Sequence, residues 1–369
     1  MSFYKLGLSW EMVYALECQN IIEPTPIQTL AIPPIFSEKD VLGEAQTGTG
    51  KTLAFLLPLM QMIEEDKGVQ VMVIAPTREL AIQITSEARK LLEMKSVNIL
   101  AAYGGQDINA QLHVLKDQVN MIIGTPGRIL DHLRRQSFDC TNLKTLVVDE
   151  ADQLFHIGFK EEIKNIIKFL PKDRQTLCFS ATLNHRVNSF SKHYLDNPVH
   201  VVAPKEKLTL DTISQLVVET SGRKKYDDFK KLLKDESSKK AIIFCRSRKG
   251  CDSLLSSMKE DGFDVEVLHG GMTQAKREYV MEQFKTTELK YLIATDVAAR
   301  GLDIPYVTHV FNYNLPDEEE NYVHRIGRTG RAGQEGKSFI LYTLKDESRL
   351  KAIEKFIGMT IDRIKREEK

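Results

Sequence analysis

The sequence lacks the cysteine patterns that define disulfide scaffolds and cysteine-based metal sites. Its five cysteines, at positions 18, 140, 178, 245 and 251, form no C-x-x-C pair. Such sparse cysteine usage indicates a reducing compartment and buried, reduced thiols. Low-complexity tracts are absent as well.

Long apolar runs and a leader segment are also missing. The most apolar window, residues 53–63, is short and contains Pro58, so it does not predict a membrane span. Residues 1–10 lack a basic start followed by an apolar run, so no secretory signal is predicted. We therefore expect a cytoplasmic protein without a membrane partner.

The chain has no net charge, since 51 Lys and Arg residues balance 51 Asp and Glu residues. Neither half is generally basic, so a polyanion would have to be bound by a local patch of the surface. The 369 residues are too many for one typical core and suit two α/β domains.

A glycine-rich segment is the strongest local signal. Residues 45–52 read Ala-Gln-Thr-Gly-Thr-Gly-Lys-Thr and lie between a short apolar segment and an apolar helical stretch. The two glycines let backbone N–H groups turn inward, Lys51 adds a mobile positive charge, and the Thr52 hydroxyl can ligate Mg²⁺. A simple turn before a helix is the alternative, but the strand-to-helix context favours a nucleotide phosphate site.

A proline-rich segment precedes this loop. Pro24 and Pro26 predict an irregular loop over residues 24–28, after a helix that starts at Ser9. Gln28 presents a donor and an acceptor side by side, which match the N6 and N7 edge of adenine. Gln28 is therefore a candidate adenine reader, whereas taken alone it would be a surface polar group.

Short apolar segments alternate with helical patterns in both halves of the chain. They predict an α/β fold of two tandem domains, each a parallel sheet covered by helices. The segments are residues 69–75, 98–102, 121–123, 146–148, 176–179 and 199–202, then 215–218, 241–245, 265–268, 291–294, 307–311 and 338–342. We place the domains at residues 1–204 and 214–369, with a linker at 205–213.

Polar residues directly follow several strands of the first domain, at residues 76–80, 104–105, 125–128, 149–152 and 180–182. Ligands of such sheets bind beyond the carboxyl ends of the strands, so these residues predict one functional rim. Asp149 can hold Mg²⁺ opposite Thr52, and Glu150 can orient or deprotonate an attacking water. Helix capping is the simpler role for strand-terminal acids and stays open for Asp152.

Two segments of the second half carry candidate chemistry, residues 295–303 and residues 324–331. Arg328 and Arg331 are three residues apart, which on a helical turn directs both guanidinium groups the same way. A solvated basic face is the alternative, but the interleaved glycines favour close approach to a ligand. Residues 336–338, Gly-Lys-Ser, imitate a phosphate loop and are rejected, because Arg331 replaces the first glycine and a strand follows.

Together these residues resemble a DEAD-box ATP-dependent RNA helicase, a superfamily-two protein with two RecA-like domains. The resemblance covers residues 3 to about 342, and the literal Asp-Glu-Ala-Asp of residues 149–152 is part of it. The compact length is similar to minimal bacterial members without an accessory domain. By analogy alone, that likeness points to ribosome-assembly or RNA-decay proteins as partners.

The resemblance implies roles in binding and hydrolysing ATP. Phe3 would pack behind the Gln28 loop, Gln28 would read adenine and Asp303 would contact the ribose. The phosphates would be held by Ala45, Gln46, Thr47, Gly48, Thr49, Gly50, Lys51 and Thr52, and Mg²⁺ by Thr52 and Asp149. The catalytic set would be Lys51, Asp149, Glu150 and two arginine fingers from the second domain, Arg328 and Arg331.

The same resemblance implies coupling and RNA-binding roles. The residues that couple the ATP state to domain closure would be Asp152, Ser180, Thr182 and His324. The RNA backbone would be contacted by Pro76, Thr77, Arg78, Gly105, Thr125, Gly127 and Arg128 of the first domain, and by Arg246, Gly271, Gln274 and Thr295 of the second. Such groups suit phosphates and 2′-hydroxyls, so we expect little sequence preference. We also expect a monomer.

One departure from the family pattern is the pair Asn20-Ile21, where the family usually has Gly followed by an aromatic residue. Asn tolerates positive φ, so the shape of the loop should survive. The missing aromatic ring should weaken nucleotide affinity.

Two other functions stay open. One is a DNA translocase of the same superfamily, against which Gln28 and residues 149–152 argue. The other is an ATP-gated RNA clamp that does not separate strands and needs the same residues. A GTPase is disfavoured, because no Asn-Lys-x-Asp motif occurs.

Overall fold

A computed structural model describes residues 2–46, 48–92, 97–204, 213–236, 238–286, 288–299, 307–330 and 335–364. The chain divides into two compact units, Met1–Lys205 (unit one) and Glu206–Lys369 (unit two). Among the helices of these ranges, none combines the length and the apolar character that a bilayer crossing requires. The predicted linker falls almost entirely on residues 205–212, which lie outside the described residues.

Unit one begins with a 3₁₀-helix at Phe3–Leu6. Its strands are β1 (Val41–Glu44), β2 (Val71–Ile74), β3 (Ile99–Ala102), β4 (Met121–Gly124), β5 (Thr145–Val148), β6 (Gln175–Ser180) and β7 (Val199–Val202). Its helices are α1 (Trp10–Glu17), α2 (Pro26–Phe36), α3 (Lys51–Met62), α4 (Arg78–Lys90), α5 (Ile108–Val114), α6 (Pro126–Arg134), α7 (Ala151–Ile157), α8 (Lys160–Ile167) and α9 (His185–Tyr194).

The strands of unit two are β8 (Ile213–Glu219), β9 (Ala241–Phe244), β10 (Val265–Leu268), β11 (Tyr291–Ala294), β12 (His309–Asn312), β13 (Gly336–Tyr342) and β14 (Asp362–Ile364). Its helices are α10 (Lys225–Asp235), α11 (Arg248–Glu260), α12 (Gln274–Lys285), α13 (Asp296–Ala299), α14 (Glu319–Ile326) and α15 (Glu347–Ile357). Residues 336–338 begin strand β13 and do not lead into a helix, which agrees with the prediction that they are not a second phosphate loop.

The two sheets have the same strand order. Unit one is ordered β3-β4-β2-β5-β6-β1-β7 and unit two β10-β11-β9-β12-β13-β8-β14, with seven strands in each sheet. All of the recorded strand pairs are parallel. The prediction of two parallel α/β sheets is confirmed. The sequence did not predict β14, a three-residue edge strand whose side chains are all exposed.

Alternating side chains of each strand pack on opposite faces of the sheet. In unit one, Val73 and Phe179 face a core shared with α1 to α4. Met72 and Cys178 face a second core shared with α6 to α9. A strand buried on both sides reads as a continuous apolar run, which is why the sequence identified the central strands. The loops at the carboxyl ends of these strands carry the candidate site.

Candidate functional site

The phosphate loop joins β1 to α3 in a conformation that requires glycine. Gly48 and Gly50 have φ of 87° and 89°, the left-handed region that favours glycine. Lys51 begins α3, is 6% exposed, and its Nζ donates a hydrogen bond to the Ala45 carbonyl at 2.9 Å. The Thr49 hydroxyl donates to the Gln46 carbonyl at 2.8 Å. Thr47 lies outside the described residues.

Gln28 lies in a helix, so the predicted irregular loop over residues 24–28 is wrong at its end. Helix α2 begins at Pro26, because proline is tolerated in a first helical turn where its missing N–H costs nothing. The Gln28 Oε1 accepts a hydrogen bond from the Thr25 backbone N–H at 2.9 Å, and its Nε2 donates to the Gly50 carbonyl at 3.1 Å. The carboxamide therefore ties α2 to the phosphate loop. Adenine recognition by Gln28 stays a prediction.

Two other residues near this segment behave as their sequence context suggested. Asn20 has φ of 59°, a left-handed conformation. Glycine, the usual residue of the family at this position, adopts that conformation without strain, and Asn tolerates it. Phe3 is 2% exposed and belongs to the same core as Ile27 in the first turn of α2. Phe3 thus supports the helix that carries Gln28.

The two candidate catalytic acids lie between β5 and α7 and are both buried. The Asp149 Oδ1 accepts a hydrogen bond from the Glu150 backbone N–H at 2.9 Å. Burial raises the pKa of Asp149, while the positive charge of Lys51 opposes that rise. Glu150 has φ of 48° and ψ of 52°, a left-handed conformation that costs a non-glycine residue on the order of 1–3 kcal/mol. Such strain recurs at active sites, although Glu38 and Gln136 show the same left-handed conformation at ordinary turns of this unit.

A hydrogen-bonded cluster joins the acidic segment to the end of β6. The Asp152 Oδ2 accepts bonds from the Thr182 hydroxyl at 3.1 Å and from the Thr182 backbone N–H at 3.2 Å. The Ser180 hydroxyl donates to the Thr182 carbonyl at 2.8 Å and accepts from the Asp152 N–H at 3.3 Å. Three of the four predicted coupling residues therefore form one hydrogen-bonded cluster. The fourth, His324, lies in α14 of unit two.

The RNA-binding candidates of unit one begin with the N-terminal ends of α4 and α6. Thr77 caps α4, because its hydroxyl accepts from the Leu80 N–H at 3.2 Å. Thr125 and Gly127 flank Pro126 at the start of α6, and no atom lies within 4 Å of where a Gly127 side chain would begin. An open glycine at a helix N-terminus leaves backbone N–H groups accessible to an anion.

Two arginines lie beside this rim. A side chain at Gly104 would begin 3.2 Å from the Arg78 Nη2, so the glycine makes room for that guanidinium. Arg128 donates from Nη1 to the Gln111 Oε1 and from Nη2 to the Gln106 carbonyl, each at 3.1 Å. Gly105 has φ of 89° and completes the loop between them. The predicted residues of unit one therefore share one edge of the sheet.

The candidates of unit two lie at the equivalent edge of its sheet. Arg246 follows β9 and pairs with Asp317 at 3.3 Å on the exposed surface. The Gly271 N–H donates to the His269 Nδ1 at 3.1 Å. Gln274 begins α12, and Thr295 directly follows β11. The His269 contact was not predicted, because only the folded loop brings the imidazole to Gly271.

The predicted finger segment has one member within the described residues. Arg328 follows α14, is buried, and its Nε donates to the His324 carbonyl at 3.2 Å. Arg331 and Asp303 lie outside the described residues. Between His324 and Arg328 stands Arg325, which is 1% exposed and forms a two-bonded ion pair with Asp296. Sequence reasoning gave Arg325 no separate role, although this pair fixes α14 against α13.

Comparison with known proteins gives a consistent result over the whole chain. A family model described as "DEAD/DEAH box helicase" matches residues 25–190, and one described as "Helicase conserved C-terminal domain" matches residues 224–333. The DEAD-box ATP-dependent RNA helicase CshA of Bacillus subtilis is 43% identical over 366 residues, which cover 99% of this chain and 74% of that protein. This chain belongs to the DEAD-box ATP-dependent RNA helicase family. It is therefore an ATP-hydrolysing enzyme and an RNA helicase.

Other DEAD-box proteins support the same assignment. CshA of Bacillus cereus is 44% identical over 364 residues, which cover 98% of this chain and 69% of that protein. The structure titled "S. cerevisiae Dbp5 bound to RNA and ADP BeF3" has a TM-score of 0.90 at 30% identity, over 99% of this chain and 95% of that one. The structure of Mss116p "bound to ssRNA and AMP-PNP" has a TM-score of 0.88 at 31% identity, over 100% of this chain and 79% of that one. The prediction of RecA-like DEAD-box units is confirmed.

Proposed function

We propose that residues 45–52 of unit one bind the ATP phosphates, and that Glu150 orients the attacking water. The observation that carries this proposal is the buried edge where Lys51 begins α3 and its charge acts on Asp149. The Lys51 ammonium group can leave its hydrogen bond to the Ala45 carbonyl and bind the β- and γ-phosphates instead. The glycine turns direct backbone N–H groups toward the same phosphates. The hydrogen bond from the Glu150 N–H fixes the orientation of the Asp149 carboxylate at this edge.

Mg²⁺ fits the residues at this edge. Within the described ranges, no group of three or more His, Cys, Asp or Glu side chains is placed to hold a metal ion. Magnesium in phosphoryl-transfer sites needs no such group, since it takes one or two protein ligands and completes its shell with phosphates and water. Thr52 and Asp149 would hold it, and its charge would neutralise the phosphates. A buried carboxylate such as Asp149 is stabilised by a nearby cation.

We further propose that hydrolysis depends on residues of both units. Arg328 and Arg331 would stabilise charge that develops on the γ-phosphate, Asp303 would contact the ribose, and the Asp152–Thr182 cluster with His324 would link nucleotide state to closure. A trans-acting arginine contributes about 10³ to 10⁵ in rate in related enzymes. RNA bound at both rims would favour the closed state, so ATP and RNA should bind cooperatively.

RNA would be held through its backbone. The rim offers helix N-termini and arginines, which recognise phosphates and 2′-hydroxyls but carry little base information. Dbp5 and Mss116p, as their titles state, are bound to RNA. Each stacked step of a duplex costs about 1.4 kcal/mol to open, a value taken from DNA, so opening a few base pairs costs only a few kcal/mol. Such local opening would separate a short duplex without long processive unwinding.

The variant Glu150→Gln tests the catalytic assignment. It should abolish ATP turnover while ATP and single-stranded RNA still bind, because only the carboxylate that orients the water is lost. Full ATPase activity in this variant would remove Glu150 from the mechanism.

The wild type tests the choice of nucleic acid. Single-stranded RNA should stimulate its ATPase activity more than single-stranded DNA of equal length. In a duplex-release assay the wild type should free the strand in an ATP-dependent manner.

A further inference from the structure

We propose that Gln111 is a positioning residue for RNA binding, which holds the Arg128 guanidinium and the Gly104-Gly105 loop in one fixed arrangement. The inference rests on the proposed function, in which Arg128 and Gly105 contact the RNA backbone. Gln111 lies in α5, outside every segment that the sequence singled out, and is 3% exposed.

The Gln111 carboxamide uses both of its ends. Its Oε1 accepts hydrogen bonds from the Arg128 Nη1 at 3.1 Å and from the His132 Nε2 at 2.9 Å. Its Nε2 donates to the Tyr103 carbonyl at 3.1 Å and to the Gln106 Oε1 at 3.4 Å. Two acceptor and two donor positions are thereby occupied, which is the full capacity of an amide side chain.

The chemistry of the partners fixes the orientation of this amide. Arg128 can only donate and the Tyr103 carbonyl can only accept, so the oxygen must face Arg128 and the nitrogen must face Tyr103. His132 must then carry its proton on Nε2. Among the described residues, the His132 Nδ1 is buried and has no hydrogen-bond partner. Burial and the nearby Arg128 charge lower the pKa of His132, which keeps the ring neutral.

The network joins two loops that follow neighbouring strands. Tyr103 and Gln106 belong to the loop after β3, and Arg128 lies in α6 after β4, the strand that pairs with β3. Gln106 reinforces the link, because its carbonyl accepts from the Arg128 Nη2 at 3.1 Å and its side-chain amide donates to the Tyr103 hydroxyl. Gln111 thus holds an arginine and a glycine loop in register before RNA arrives.

Two of the five Arg128 N–H donors are used by Gln111 and Gln106, so the guanidinium can still bind a phosphate. An arginine that is already ordered loses less side-chain freedom when it binds. Without the Gln111 oxygen, the Arg128 side chain would lose that freedom only when RNA binds, and the lost entropy would weaken the binding. We therefore expect Gln111 to raise RNA affinity by about tenfold without taking part in catalysis.

The test compares Gln111→Met with Gln111→Glu. Gln111→Met keeps the length of the side chain but forms no comparable hydrogen bonds, and it should raise the KM for single-stranded RNA in the ATPase assay about tenfold. The kcat at saturating RNA and the KM for ATP should stay within twofold of the wild type. Gln111→Glu keeps the acceptor toward Arg128 but turns a carboxylate oxygen against the Tyr103 carbonyl and adds a negative charge beside the guanidinium. It should therefore raise the KM for RNA more than Gln111→Met does. The matched control Gln118→Met, at an exposed glutamine, should change none of these values.

A double-mutant cycle with Arg128→Ala decides whether Gln111 acts through that arginine. If it does, adding Gln111→Met to Arg128→Ala should change the KM for RNA by less than twofold. Independent effects that multiply, or an unchanged KM for RNA in Gln111→Met, would overturn the proposal. If Gln111→Met fails to fold by circular dichroism, the same cycle is run with Gln111→Asn, whose amide is one methylene shorter. Its loss should likewise vanish in the Arg128→Ala background.

The cycle also separates this proposal from the function on which it rests. If Arg128→Ala leaves the KM for RNA unchanged, the assignment of Arg128 to RNA fails. If Arg128→Ala weakens RNA binding and Gln111→Met does not, only the positioning role of Gln111 fails.

Discussion

Replacing Gly50 by alanine should destabilise unit one more than the same change at Gly48. Both glycines have left-handed φ angles, so an alanine costs about 1–2 kcal/mol at either position. At Gly48 no atom lies within 4 Å of the new side chain. At Gly50 the new carbon would begin 2.5 Å from the Gln28 Nε2, which real structures do not tolerate, so Gln28 must move.

The extra cost at Gly50 follows from what Gln28 then loses. Its 3.1 Å bond to the Gly50 carbonyl contributes about 0.5–1.5 kcal/mol, and a buried amide left without a partner costs about 1–3 kcal/mol. Adding the unpaired amide to the cost of the left-handed φ, we expect a loss of about 2–5 kcal/mol in the free energy of unfolding for Gly50→Ala, against about 1–2 kcal/mol for Gly48→Ala.

Urea unfolding without nucleotide measures this difference. Trp10 is the only tryptophan and lies in unit one, so its fluorescence reports on that unit. Gly158→Ala is the matched control, because Gly158 has φ of 103° and open space around it but lies outside the phosphate loop. It should behave like Gly48→Ala in stability and leave the KM for ATP unchanged. Equal destabilisation by Gly50→Ala and Gly48→Ala would refute the argument that Gln28 braces the loop.

Thr182→Val removes the hydroxyl bond to Asp152 but keeps the backbone one, so it should slow duplex release about ten- to a hundredfold, the effect of a hydrogen bond to a charged group, with the KM for ATP unchanged. An equal loss of ATP affinity would contradict a coupling role. His132 has a lowered pKa in the folded state, so the unfolded state binds more protons below about pH 6.5. The stability of unit one should therefore fall as the pH falls through that value, and His132→Asn should flatten the fall in urea midpoints measured from pH 7.5 to 5. An unchanged slope would assign the pH dependence to other groups.

The sequence predicted the strands well and helix α2 poorly, for related physical reasons. Central strands are buried on both faces, so their apolar runs are unambiguous. Helix α2 contains Pro33 and Pro34, each of which costs about 3 kcal/mol in a helix interior. Its face of Ile27, Ile32 and Ile35 is completely buried, and each such side chain contributes about 1.5–3 kcal/mol. Tertiary packing therefore outweighs Pro33 and Pro34. The start of α2 did carry a local signal, because Thr25 and Gln28 have capping-box spacing and Pro26 lies in the first turn.

The candidate site shows the same division. Residues 45–52 and 149–152 were identified because their function requires particular residue types at fixed spacing. Gln111 was not, because its partners lie 5 to 21 positions away and meet only in the folded rim. A glutamine in a short helix carries no local signal for such a role. Networks that position a site are visible only once the sheet has set their geometry.

The position of β1 in the sheet has a consequence for synthesis on the ribosome. This strand precedes the phosphate loop, yet it pairs with β6 and β7, and the Ala45 N–H donates to the Ser180 carbonyl at 3.0 Å. The loop thus depends on strands made long after it. At about 5–20 residues per second, the ribosome needs on the order of ten seconds or more to reach β7. A nascent chain that stops before Ser180 carries residues 45–52 and 149–152 but lacks β7 and the end of β6 beside β1, and it is exposed to chaperones and proteases in that interval.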